Sequence, residues 1–166
     1  LEAPKDTLMN AKKKAKELGV DTILNPAPAA EIDKNMFPFI DYFTPNETEA
    51  SFYVNHPVET HDDASKAAST LLEMGIKNVI ITLGEKGAYF ANVNETFSSP
   101  IVNLSNPVVD TTGAGDAFNA GFAAALTENQ GIREAIAFAS ATAGLSTTKI
   151  GTAKSMPSRE EIDKII

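Results

Sequence analysis

The twelve residues Val108-Val109-Asp110-Thr111-Thr112-Gly113-Ala114-Gly115-Asp116-Ala117-Phe118-Asn119 lead through a run of small side chains into an Ala/Phe-rich helical pattern. Gly113, Ala114 and Gly115 carry little or no side chain, so an anion can approach their backbone N–H groups closely. Such donors are unpaired at the start of a helix and sit at its positive end. A place of this kind stabilises negative charge as it develops during phosphoryl transfer. Asp116, in the same first turn, is an acceptor beside that anion hole, suited to take a proton from a hydroxyl attacking phosphorus. The alternative is an aspartate that only complements the helix dipole, worth under about 1 kcal/mol. Short glycine motifs recur by chance, so composition and spacing alone leave both readings open.

Downstream, two apolar helices are expected, from about Gly115 to Leu126 and from Ile132 to about Thr147. Gly151 and Pro157 then break the chain, and Ser158-Arg159-Glu160-Glu161 reads as a capping box opening a last short helix. Upstream, Val79-Ile80-Ile81-Thr82-Leu83 is a continuous apolar run, as for a strand buried on both faces. Gly84 and Gly87 punctuate it, Ala88 to Ala91 reads as a returning strand, and Asn94 to Val102 as strand and loop. Thr60 to Met74 is an amphipathic helix with Ala64, Ala67, Ala68, Leu71 and Leu72 inward, and Gly75 ends it. Asn46 is placed to cap a helix over Asn46 to Ser51, following the short apolar run Phe39 to Phe43. Leu8, Ala11, Ala15 and Leu18 recur at helical spacing before Gly19. Val20 to Leu24 then reads as a strand ended by Asn25-Pro26-Ala27-Pro28. Strands alternating with helices predict an α/β layered fold with a largely parallel sheet, in one domain over 1–166.

At 166 residues the chain is long enough for a real core, and 43% hydrophobic with 22% charged residues is a globular balance. The net charge of -8 argues against nucleic-acid binding, which draws on clustered Lys and Arg. Lys12-Lys13-Lys14 with Lys16 is expected to be a solvated helix face. Without cysteine there is no disulfide or thiolate metal site, which permits a cytoplasmic location. The small-apolar run Ala120 to Leu126 is too short to cross a bilayer, so no membrane role is expected. His56 and His61, without acidic or cysteine partners at ligand spacing, are expected at the surface. The P-loop pattern is absent, and Gly113-Ala114-Gly115-Asp116 does not continue into a dinucleotide fingerprint.

The stretch Asp110-Thr111-Thr112-Gly113-Ala114-Gly115-Asp116-Ala117-Phe118 closely resembles the signature of the ribokinase-like carbohydrate kinases, the phosphofructokinase B-type family. The runs Leu24 to Ala29, Thr44 to Ala50, Ile80 to Gly87 and Gly151 to Ile162 resemble that family in order and spacing, so the similarity covers essentially the whole chain. The resemblance implies a three-layer α/β/α Rossmann-like fold and ATP-dependent phosphorylation of a sugar hydroxymethyl, D-ribose foremost, with deoxyribose, fructose or a nucleoside as alternatives. A catalytically inactive nucleotide-binding or interaction module is the reading from another class.

By that resemblance Asp116 is the catalytic base and contacts the sugar, while Gly113, Ala114 and Gly115 hold the transferring phosphate. Asn46 and Glu49 match an Asn-x-x-Glu element that positions magnesium and the ATP phosphates. Thr82, Leu83, Gly84, Glu85, Lys86 and Gly87 correspond to the loop lining the nucleotide, with Gly115 and Ser140 also on the nucleotide side. Asp110, Thr112, Ser146, Lys149, Gly151 and Ser155 match a monovalent-cation (potassium) site, Lys149 through its carbonyl alone. Glu2 matches a sugar-contacting acid. Members of that family are much longer, and the chain reads as their C-terminal half, carrying the nucleotide side without the lid or most sugar contacts. Alone it is expected to bind nucleotide weakly or not at all and to phosphorylate little, and the full-length protein is expected to pair as a homodimer.

Overall fold

A computed structural model of the chain describes residues 3–166, so the expected sugar contact Glu2 lies outside the described residues. The chain divides into two compact units, one running through Gly84 and taking in Tyr89–Ser98, the other comprising Glu85–Ala88 and Ser99–Ile166.

The first unit carries nearly all of a five-stranded sheet in the order β1-β2-β3-β4-β5, with β1 Ile23–Leu24, β2 Tyr42–Phe43, β3 Asn78–Thr82, β4 Ala88–Asn92 and β5 Thr96–Ser99. β1, β2 and β3 run parallel, with Leu24 opposite Phe43 and Phe43 opposite Val79. The connections from β3 to β4 and from β4 to β5 are too short for a parallel crossover, so the last two strands extend the sheet antiparallel. Parallel pairing sends β1, β2 and β3 out of the sheet at one edge, into Asn25, Thr44-Pro45-Asn46 and Leu83-Gly84 respectively. Val79, Ile80 and Ile81 are all fully buried, as the apolar run predicts for a strand covered on both faces. Helix α2 (Glu47–Val54) and helix α3 (His61–Glu73) pack on each other and on β3. Ala64, Ala67, Ala68 and Leu71 form the inward face of α3, and Thr60 with Asp63 closes a capping box at its start. Leu72 is only half-buried.

Two local expectations change. Phe39, the first residue of the Phe39 to Phe43 run, belongs to a 3-10 segment, Lys34–Phe39, because Asp33 caps it by accepting the Asn35 N–H and Pro38 fits its turn. The run then leaves only Tyr42–Phe43 as strand. Likewise only Ile23–Leu24 of the expected first strand pairs, since Thr22 is held by side-chain bonds: its N–H and Oγ both donate to Asp41 Oδ2, at 2.9 and 3.0 Å.

The expected solvated lysine face holds for Lys13, Lys14 and Lys16, which are exposed, but not for Lys12. Helix α1 (Lys5–Glu17) buries Lys12, while Ala11 and Leu18 are exposed. A long lysine stem packs like an aliphatic chain where α1 lies against the 3-10 segment. Burial pushes the Lys12 ammonium pKa down, the nearby Asp41 charge opposing it. Lys16 covers the Phe39 ring at 4.9 Å from its centroid.

The second unit is built on α4 (Ala114–Thr127) and α5 (Ile132–Ser146), with α6 (Arg159–Asp163) packed on α5. Close approach of α4 and α5 depends on Gly121, where an added Cβ would lie 2.6 Å from Thr142 Oγ1. Ser158 and Glu161 form the capping box expected at α6, and Arg159 pairs with Glu128 and lies over the Phe138 ring. Among the described residues no helix is long and apolar enough to cross a membrane.

Candidate active site

In the second unit, Gly113 is the residue at which the chain turns into α4. Its φ of 77° and ψ of 7° are left-handed, a conformation glycine adopts without penalty, and it has no side chain with which to cap the helix. The first helical hydrogen bond runs from the Ala117 N–H to the Gly113 carbonyl at 2.9 Å. The Ala114 N–H, expected to be an open donor, instead bonds the Thr111 carbonyl at 3.1 Å. The N–H groups of Gly113, Gly115 and Asp116 have no acceptor among the described residues. Three unpaired amides at the positive end of a fourteen-residue helix are the donors that an anion approaching this turn would use. Asp116 stands third in that helix, exposed, its carboxylate without a hydrogen-bond partner among the described residues. A carboxylate with no structural partner is free to accept a proton.

Asp110 is occupied differently. Its Oδ1 accepts the Thr112 N–H at 2.9 Å and its Oδ2 accepts the Gly151 N–H at 3.0 Å, across 41 residues. The Gly151 amide, followed by Thr112, holds the Asp110 carboxyl below the usual carboxylate range. The Thr147 carbonyl accepts the N–H groups of both Val109 and Asp110. These bonds bring the 110–113 turn against the 147–155 segment, which the sequence grouped as one cation site. Ser146 and Ser155 are both buried and donate their hydroxyls to the Ala143 and Thr152 carbonyls. Lys149 turns its ammonium to Glu161 at 3.0 Å, which leaves its carbonyl as the only atom able to ligate a cation. The set Asp110, Thr112, Ser146, Lys149, Gly151 and Ser155 thus holds one carboxylate among neutral oxygens. It fits a weakly charged, oxygen-preferring cation such as potassium and not a transition metal. Among the described residues no three His, Cys, Asp or Glu side chains cluster for a metal. His56 and His61 instead contact the Pro57 carbonyl and Ser98 Oγ.

In the first unit, the ends of β2 and β3 are stitched together: the Thr82 N–H bonds the Pro45 carbonyl at 3.0 Å, and Asn46 bridges to Thr82. Asn46 and Glu49 form a capping box for α2. Asn46 Oδ1 accepts the Glu49 N–H and Glu49 Oε2 accepts the Asn46 N–H, each at 2.9 Å. Glu49 is 7% exposed, so it is a buried structural acid as well as a candidate magnesium-side carboxylate. The two roles separate by substitution. Glu49→Gln keeps the box, since glutamine serves in that position, and removes the charge. Glu49→Ala loses both, at a stability cost of about 1 kcal/mol. We expect Glu49→Gln to melt with the parent while requiring more magnesium for nucleotide binding. Parent-like magnesium dependence in a titration would leave Glu49 only its capping role.

The loop after β3 passes buried Leu83 into a short exposed turn, Gly84–Lys86, and back through Gly87. Gly87 has φ 87°, and a Cβ there would fall 2.1 Å from the Ser99 carbonyl, so only glycine fits. Ser140 is half-buried on α5. Glu47, the first residue of α2 and an acid at its positive end, places Oε1 3.7 Å from where a Gly84 Cβ would stand. Thr152 packs on Gly113, 39 residues away, a pairing that no local pattern announces.

The sequence matches the model of the pfkB family of carbohydrate kinases over residues 1–159. It is 42% identical over 161 residues to the ribokinase of Haemophilus influenzae, covering 97% of this chain and 52% of that protein. The deoxyribokinase of Salmonella typhi is 36% identical over 167 residues, covering 100% of this chain and 54% of that one. The structure of Arabidopsis thaliana ribokinase complexed with ribose and ATP superposes with a TM-score of 0.92 at 35% identity, covering 97% of this chain and 52% of that one. The chain therefore spans about half the length of the curated relatives it matches.

Proposed function

We propose, from the premise that this chain belongs to the pfkB family of carbohydrate kinases, that its 166 residues carry the nucleotide-binding and catalytic chemistry of an ATP-dependent sugar kinase. The favoured reaction is D-ribose to D-ribose 5-phosphate, because a ribokinase is 42% identical to the chain and the superposed ribokinase holds ribose and ATP. Deoxyribose follows, from the deoxyribokinase relative. The observation that carries the reading is the partnerless carboxylate of Asp116 beside the open amides of Gly113, Gly115 and its own backbone.

In the proposed step Asp116 accepts the proton of the sugar's primary hydroxyl as its oxygen attacks the γ-phosphorus. The bond from that phosphorus to the β–γ bridging oxygen breaks, and ADP leaves. The open amides donate to the oxygens of the transferring group, where charge accumulates. In the first unit the Asn46–Glu49 pair and the loop from Thr82 serve the nucleotide and its magnesium. Magnesium supplies charge neutralisation on the phosphates. Asp110, Thr112, Ser146, the Lys149 carbonyl, Gly151 and Ser155 would hold potassium, which would supply a fixed positive charge to the transferring phosphate. The second reading is a nucleotide-binding or interaction module without turnover of its own.

The test is a chimera in which these residues replace the matching stretch of the Haemophilus influenzae ribokinase. Ribose-dependent ADP release near the parent rate is expected. A folded chimera that binds ATP yet releases no ADP with any pentose would support the module instead.

A further inference from the structure

We infer that Thr152 is a positioning residue for phosphoryl transfer: packed on Gly113, it holds the turn into α4 in the shape that leaves its amides open. The inference rests on the kinase reading above and adds a residue to it. Gly113 keeps its left-handed backbone next to a side chain, since a Cβ built on it would lie 3.0 Å from Thr152 Cγ2 and 3.3 Å from Thr152 Cβ. The threonine methyl therefore fills the space beside the Gly113 α-carbon. Thr152 is itself held, because its carbonyl accepts the Ser155 N–H at 3.1 Å and the Ser155 hydroxyl at 2.6 Å, and Ser155 is fully buried. The residue before it, Gly151, is fastened by Asp110, whose other oxygen fastens Thr112.

The turn is thus gripped at two neighbouring points, Thr112 through its amide and Gly113 through packing. Glycine moves easily between left-handed and right-handed conformations when nothing stands beside it. Were Gly113 to leave the left-handed region, the amides of Gly113, Gly115 and Asp116 would lose their common arrangement. The Thr152 hydroxyl has no hydrogen-bond partner among the described residues, so the β-branched carbon skeleton carries the effect.

That distinction defines the test, made in the ribokinase chimera by amide hydrogen exchange and by NMR titration with ATP. Thr152→Val keeps the branch and is expected to match the parent in both. Thr152→Gly is expected to exchange about tenfold faster at Ala114 and Ala117, whose N–H groups are held by the Thr111 and Gly113 carbonyls. Its ATP affinity should fall about fivefold, as when the competent turn is populated about one time in five. The α5 amides of Ala139 and Ala141 should keep parental exchange in both variants, which separates a loosened turn from unfolding. Parental exchange and affinity in Thr152→Gly would overturn the inference, as would equal damage in Thr152→Val. If ATP moves none of the Gly113, Gly115 and Asp116 amide resonances in the parent, the kinase reading of this turn fails. Exchange in Thr152→Gly then still decides whether Thr152 grips the turn.

Discussion

Asp116→Asn is expected to lower sugar phosphorylation by about 10²- to 10⁴-fold with nucleotide binding retained. Asparagine has nearly the shape of aspartate and is tolerated in the first turn of a helix, so the geometry of α4 and its open amides should persist. What is lost is the basic oxygen. A carboxylate can take the hydroxyl proton as the oxygen attacks phosphorus, and a carboxamide cannot. The structural side effect is small by comparison, since an acid near a helix N-terminus contributes about 0.3–1 kcal/mol, whereas the rate loss corresponds to about 3–5 kcal/mol of activation free energy. Removing a negative charge beside the phosphates should leave ATP affinity unchanged or raise it. The measurements are kcat in the ribokinase chimera and an ATP titration of the same variant. Turnover within tenfold of the parent would show that Asp116 only complements the dipole, the reading left open by its isolated motif.

Phe43→Ala is expected to cost about 3–5 kcal/mol. Phe43 is fully buried on β2, paired to β1 and β3, and meets Tyr53 edge-on with ring centroids 5.3 Å apart. Alanine would leave a cavity that two flanking strands cannot both close. With a total stability of roughly 5–15 kcal/mol for a typical domain, the loss is large, and the urea midpoint should drop by about 2 M. Phe52, 48% exposed though it also touches Tyr53, is the control, and Phe52→Ala should cost less than about 1 kcal/mol. Because β2 runs directly into Thr44-Pro45-Asn46, the Phe43 variant should also lose nucleotide affinity below its unfolding transition. A stability change under about 1 kcal/mol would be incompatible with a buried central strand.

The helices were legible in proportion to their local signals. Thr60, Asn46 and Ser158 each cap a helix within a few residues of the acid that completes the box, and those starts lie where the pattern placed them. The apolar run at Val79 announced a covered strand because continuous burial needs continuous hydrophobicity. Phe39 to Phe43 misled because aromatic content alone cannot distinguish a paired strand from a 3-10 turn, and Asp33 and Pro38 decided it. Lys12 misled because charge predicts solvation only while the stem has nothing to pack on.

The candidate site divides along the same line. By itself the sequence determined the family, the order of strands and helices, and the identity of the acid and the glycines at the start of α4, since each depends on residues adjacent in the chain. Only the tertiary structure decided which amides stay open, that Asp110 spends its carboxylate on Gly151 and Thr112, that Glu49 closes a cap, and that Thr152 stands beside Gly113. The physical reason is that a hydrogen-bonding group has more potential partners than it can engage. Its choice is fixed only when packing brings one distant partner within about 3 Å.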